Sequence, residues 1–175
     1  MRAELLNEKY SKIVIQVGAW DATWGNSPSA FESSLDSTVK FLLEKTNVFD
    51  DSKINPWDII LLTQTPEGHH IVRDNRLVYG HTWHSLQTAT NEVNERIRKV
   101  AWKYRTGLVD AHSLVLAHPR KATREFWEKG AGWHMTKESG MSRTIAVEII
   151  EKMCSAVVDI DSGVTTSKVI QNSDL

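Results

Sequence analysis

Two short aliphatic runs, residues 13–17 (IVIQV) closed by Gly18 and residues 58–62 (DIILL), flank an amphipathic stretch, and this order constrains the fold more than any other feature. Each run is long enough for a buried strand and too short for a typical helix. Between them, residues 29–45 space Phe31, Leu35, Val39, Leu42 and Leu43 to give one apolar stripe of a helix, with Asn26, Ser27 and Pro28 as its start signal. A second helix is expected from Thr82 or nearby to Tyr104, with Leu86, Val93, Ile97 and Val100 inward and Asn94, Glu95, Arg98 and Lys99 outward. It leads into a third strand at residues 106–109, closed by Asp110. A third helix fits residues 137–155, with Ile145, Val147, Ile149, Ile150 and Met153 as its apolar positions. Strands that alternate with helices of this length imply parallel β-α-β units. The expected fold class is therefore α/β: a three-layer α/β/α sandwich with a parallel sheet covered on both faces.

The chain has 175 residues, 41% of them hydrophobic, enough for one core, so a single domain is expected over residues 1–158 and a polar tail or edge strand over 159–175. With 21 basic and 22 acidic residues and no block of like charge, nucleic acid and an anionic membrane surface are disfavoured as partners. The lone Cys154 cannot form an internal disulfide, which suits a reducing, cytoplasm-compatible setting. No apolar stretch has the length of a signal peptide or membrane span.

Ligands of open α/β sheets sit in loops after the carboxyl ends of strands, which directs attention to the irregular segments 46–57, 65–80 and 112–132 and to the strand ends. Gly18-Ala19-Trp20-Asp21 follows the first run directly. A glycine there lets the backbone approach a ligand, and its N–H can donate to a developing oxyanion; the alternative is a plain turn with a packing tryptophan. His134 lies in a glycine-rich stretch, GAGWHMT, that leads into a helix, where an imidazole can serve as a general base or simply be solvated. Asp110-Ala111-His112 again closes a strand, and at most one of the aspartate and the histidine is expected to face a pocket there unless the strand has already turned. His81 and His84, with His69, His70 or Asp74, form a rival zinc constellation, but there is no H-E-x-x-H spacing and no cysteine partner, so neither metal nor cofactor is expected. Trp20, Trp24, Trp83, Trp127 and Trp133 fall in or beside these loops; they are read as loop anchors, with stacking on sugar rings as the alternative.

Taken in order, these segments resemble the SGNH (GDSL-like) hydrolases. IVIQVGAWD resembles that family's G-x-N-D block, in a G-x-W-D form closer to its PC-esterase branch. VNERIRKVAWKYRTGLVDAH resembles its late helix, loop and strand, and GAGWHMT its D-x-x-H block, with His134 in the histidine position. The resemblance spans residues 12–153 and implies an esterase. In that family a serine after the first strand attacks an ester carbonyl, the histidine accepts its proton, an aspartate orients the histidine, and glycine and asparagine groups hold the oxyanion. Carried over, His134 is the base, Gly18 an oxyanion donor and Asp21 the aspartate of the G-x-N-D block; Trp20, Trp24, Asp110 and Trp133 are expected to contact the ligand.

The departures are specific. Trp20 replaces the oxyanion asparagine, and an indole donates one hydrogen bond without mimicking an amide. Ala131 stands where the orienting aspartate would be, and no Gly-Asp-Ser segment precedes Ile13; Ser11 enters a strand rather than leaving one, and Ser27 and Ser29 are the hydroxyls next in reach of Gly18. A first strand and its nucleophile block are therefore expected to be missing. Three functions follow: an esterase-like domain or fragment acting on a small-molecule or carbohydrate ester, with hydrolysis impaired; an inactive glycan- or protein-binding module; and a metal-dependent hydrolase using the loop histidines.

Overall fold

The computed structural model describes residues 10–66, 68, 81–128 and 134–155. Three parallel strands, β1 (Ile13–Gln16), β2 (Ile59–Leu62) and β3 (Gly107–Val109), lie side by side in the order β1-β2-β3. The register pairs Ile13 with Ile59 and Gln16 with Leu62, then Ile60 with Gly107 and Leu62 with Val109. The helices are α1 (Ala19–Trp24), α2 (Pro28–Leu43), α3 (Trp83–Tyr104), α4 (Ala111–Ala117) and α5 (Met141–Ser155).

Side chains alternate across a strand, and here the alternation divides the core into two layers. Ile59 and Leu61 of β2 join Phe31, Leu35 and Val39 of α2 and Val93, Ile97 and Val100 of α3 on one face. Ile60, Leu62 and Val109 pack on the other face against Ile145, Ile149 and Met153 of α5. All four residues of β2 are buried, each side chain worth roughly 1.5–3 kcal/mol by transfer out of water. The result is the α/β sandwich with a parallel sheet that the alternation of runs and stripes implies.

Local departures have physical causes. Residues 111–117, expected to be irregular from His112 on, form α4 because Asp110 ends β3 and caps the next helix, accepting a hydrogen bond from the Ser113 N–H at 3.1 Å. The helix expected over 137–155 is interrupted: a single 3₁₀ turn, Lys137–Ser139, stops at Gly140 with φ 71°, and α5 starts after it. Gly18 is followed at once by α1 rather than by an open loop. Asn94, expected to face outward, is fully buried. Its side chain behaves as a strand partner for one residue, with Oδ1 accepting from Gln64 N–H at 2.7 Å and Nδ2 donating to Gln64 O at 2.9 Å. A polar side chain at the core edge is stable only when satisfied in this way.

Replacing Asn94 with leucine leaves the N–H and C=O of Gln64 buried without partners, and should cost about 2–4 kcal/mol. Urea unfolding of Asn94→Leu should show a lowered midpoint with an unchanged slope. A midpoint equal to that of the parent chain would show that the clamp carries no stability.

Candidate active-site cleft

A cavity of about 1030 Å3 opens at the carboxyl edge of the sheet, where Gln16, Val17 and Gly18 leave β1 and Gln64 and Thr65 leave β2. Gly18, Trp20, Asp21 and His134 all line it, so two segments more than a hundred residues apart in sequence meet at one cleft. The outer wall comes from Ser142 and Ile145 of α5.

Gly18 adopts φ 109°, a region that L side chains rarely enter, and an added Cβ would lie 2.5 Å from Val93 Cγ1. Its carbonyl accepts the Ala22 N–H at 3.0 Å and so starts α1. Asp21 accepts from Asn26 Nδ2 at 3.1 Å, which ties α1 to the loop before α2. Trp20 and Trp24 are each 64% exposed and stack on one another with centroids 6.2 Å apart. Trp127, by contrast, is buried beside Gly68 and donates to Lys121 O at 2.8 Å. Trp24 is not on the cavity lining, and Trp133 lies outside the described residues, as does Ala131.

His134 is exposed, and its carbonyl accepts the Glu128 N–H at 2.9 Å beside an antiparallel bridge between Trp127 and Met135. Residues opposite one another in such a pair share a face. Glu128 accordingly joins His134 on the cavity lining, a carboxylate that sequence reasoning passed over because the pairing is not local to any motif. Ser142, in the first turn of α5, also lines the cavity, and no motif in the sequence marks it. Ser27 and Ser29 bond to each other at 2.7 Å, off the lining.

Asp110 is also off the lining, and its carboxylate is committed elsewhere. It accepts from Thr63 Oγ1 at 3.0 Å, Arg98 Nε at 3.1 Å, and the Ser113 N–H and hydroxyl. Burial pushes this carboxyl up, but the Arg98 guanidinium and the bonds from Ser113 and Thr63 outweigh it and bring the pKa down to about 2. His112 is buried within 3.3 Å of Gln87 Nε2; burial, then the charge of Arg98, holds its imidazole below the usual value. Among the described residues no group of three or more His, Cys, Asp or Glu side chains gathers to hold a metal. His69, His70 and Asp74, which the zinc constellation needs, lie outside the described residues. Among the described residues no helix is long and apolar enough to cross a membrane.

With this geometry in hand, comparison with solved structures finds the same fold in a lipase/acylhydrolase from Enterococcus faecalis. The likeness has a TM-score of 0.59 at 20% identity, covering 85% of this chain and 65% of that chain. The likeness shows a shared α/β/α fold, and the match spans a little under two thirds of that enzyme's length. No family model matches the sequence, and no curated protein matches it.

The depressed pKa of Asp110 fixes a pH dependence. A carboxylate whose folded pKa lies below its unfolded value adds stability above that unfolded value, and the stability is lost as pH falls through the folded pKa. The window runs from about pH 5 down to about pH 2, and with a third of the side chain in solvent the contribution is at most about 2 kcal/mol. Wild type should exceed Asp110→Asn in unfolding free energy at pH 6 and lose that advantage across this window. A constant difference would contradict the assignment.

Proposed function

We propose that the cleft is the acyl-ester site of an esterase-like hydrolase domain, in which Gly18 donates to the oxyanion and His134 acts as general base. The observation that carries this reading is the convergence of Gly18, Trp20, Asp21 and His134 on one cavity at the carboxyl edge. In acyl transfer, a hydroxyl loses its proton as it attacks the carbonyl carbon, and negative charge grows on the carbonyl oxygen. In this reading His134 takes that proton, and Glu128, on the same cavity lining, offers the cation then formed a carboxylate in a sequence where Ala131 replaces the aspartate. Trp20 offers an indole N–H in place of an asparagine amide.

The nucleophile of this reading comes from a further strand laid along β1. The likeness to the acylhydrolase, which leaves about a third of that chain unmatched, supports this, as does the position of β1 at the edge of the described sheet with Val14 39% exposed. On this reading, hydrolysis is impaired wherever that strand does not supply its nucleophile. The PC-esterase branch is favoured by the G-x-W-D form at Gly18–Asp21 and by the exposed, stacked Trp20 and Trp24, a surface of the kind that binds a sugar ring in an acylated carbohydrate. The same pair favours a second reading, an inactive SGNH-like module that binds glycan through this rim.

An assay on p-nitrophenyl acetate tests the proposal. A triad lacking its nucleophile retains on the order of 10³–10⁴ over water at most, so the chain should turn over slowly, and His134→Ala should remove little in absolute terms. Fast turnover abolished by His134→Ala would contradict the missing nucleophile and make Ser142 the first hydroxyl to replace. Turnover that survives His134→Ala and disappears with a chelator would replace this reading with a metal-dependent one.

A further inference from the structure

The acyl-ester reading gives Gly18 a role but does not explain what aims its N–H. The answer lies one peptide away and one strand over. Gln64, just beyond the end of β2, is 8% exposed, lines the cavity, and donates from Nε2 to Val17 O at 2.6 Å. A carbonyl only accepts, so this contact fixes which end of the Gln64 amide faces Val17. The carbonyl of Val17 and the N–H of Gly18 belong to the same planar trans peptide and point in opposite directions. Holding the Val17 oxygen on the Gln64 amide therefore turns the Gly18 N–H away from that amide. A hydrogen bond accepted by the carbonyl also polarises the peptide and makes its N–H a better donor.

Gln64 is itself immobilised. Asn94 bonds both its N–H and its C=O, at 2.7 and 2.9 Å, while the neighbouring Val93 packs behind Gly18 and leaves no room for a Cβ. One turn of α3 thus closes the back of Gly18 and seats the side chain that grips the peptide before it. We propose that Gln64, seated by Asn94, is the positioning residue that aims and polarises the Gly18 N–H as an anion donor. This inference rests on the acyl-ester reading and adds to it a residue that no motif in the sequence marks. It also favours substrates whose transition state carries a full negative charge on oxygen, since a polarised peptide donor gains most there.

The experiment uses the 15N-labelled full chain, with the Gly18 amide as reporter and methylphosphonate as a tetrahedral anion probe. In the parent chain the probe should shift the Gly18 amide at saturation. Gln64→Met keeps the volume and removes the donor; it should move the Gly18 resonance in the free protein and weaken methylphosphonate binding about tenfold or more. Gln64→Glu gives a second readout and covers the case in which the methionine variant fails to fold. Its introduced carboxyl donates only when protonated, so the Gly18 shift should follow that carboxyl's titration and approach the parent value at low pH, a response that a purely structural role would not produce. If the parent binds the probe at Gly18 and Gln64→Met binds it equally well with an unmoved free resonance, the positioning role is overturned while the acyl-ester reading stands. A Gly18 shift in Gln64→Glu that ignores the titration also overturns it. If the parent chain shows no response at Gly18, the acyl-ester reading fails and takes the inference with it; a free-state Gly18 shift in Gln64→Met would then report only the contact.

Discussion

Burial of β2 on both faces governs the rest of the molecule. A strand with Ile59 and Leu61 on one side and Ile60 and Leu62 on the other needs an apolar helix layer on each face. The chain meets that need with α2 and α3 on one side and α5 on the other. Because β1, β2 and β3 run parallel, their carboxyl ends fall at the same edge, and the segments leaving them are forced into proximity. The cavity is where those departures meet. Its position is a consequence of the packing of the sheet, and the chemistry depends on which residues the departing segments carry.

Two polar assemblies hold the edge in shape, both through α3. Asn94 fixes Gln64, and through Gln64 the peptide between Val17 and Gly18. One turn later Arg98 reaches Asp110, whose carboxylate also receives the Thr63 hydroxyl and the start of α4. The ends of β1, β2 and β3 are thereby tied to a single helix by buried or half-buried hydrogen bonds. Such networks are costly when broken and specific when whole, which suits the proposed role of this edge in presenting a donor at a fixed angle.

The sheet and the long helices were legible in sequence because their signals are local: continuous aliphatic runs, and stripes at three and four. Ser27 and Pro28 marked the start of α2, and Thr82 that of α3, for the same reason. The shorter elements were not legible. Helix α1 spans six residues and α4 seven, too few for periodicity to emerge, and Asp110 was read as the end of a strand although it caps the helix that follows. Asn94 was assigned to the outer face by its polarity, and only tertiary structure reveals the backbone groups it satisfies. Gly18 was singled out by its place after a strand and His134 by its glycine-rich context, both with the resemblance, whereas Gln64 and Glu128 reach the cavity through long-range hydrogen bonds or pairing and Ser142 through the packing of α5, which no short motif encodes.

A crystal structure of the chain soaked with methylphosphonate tests most directly the proposed anion-accepting cleft bounded by Gly18 and His134. An oxygen of the anion should lie within hydrogen-bonding distance of the Gly18 N–H, with the His134 ring facing it across the cavity. An anion bound elsewhere while the cleft stays unoccupied, or a His134 ring directed to the opposite edge of the sheet, would contradict it.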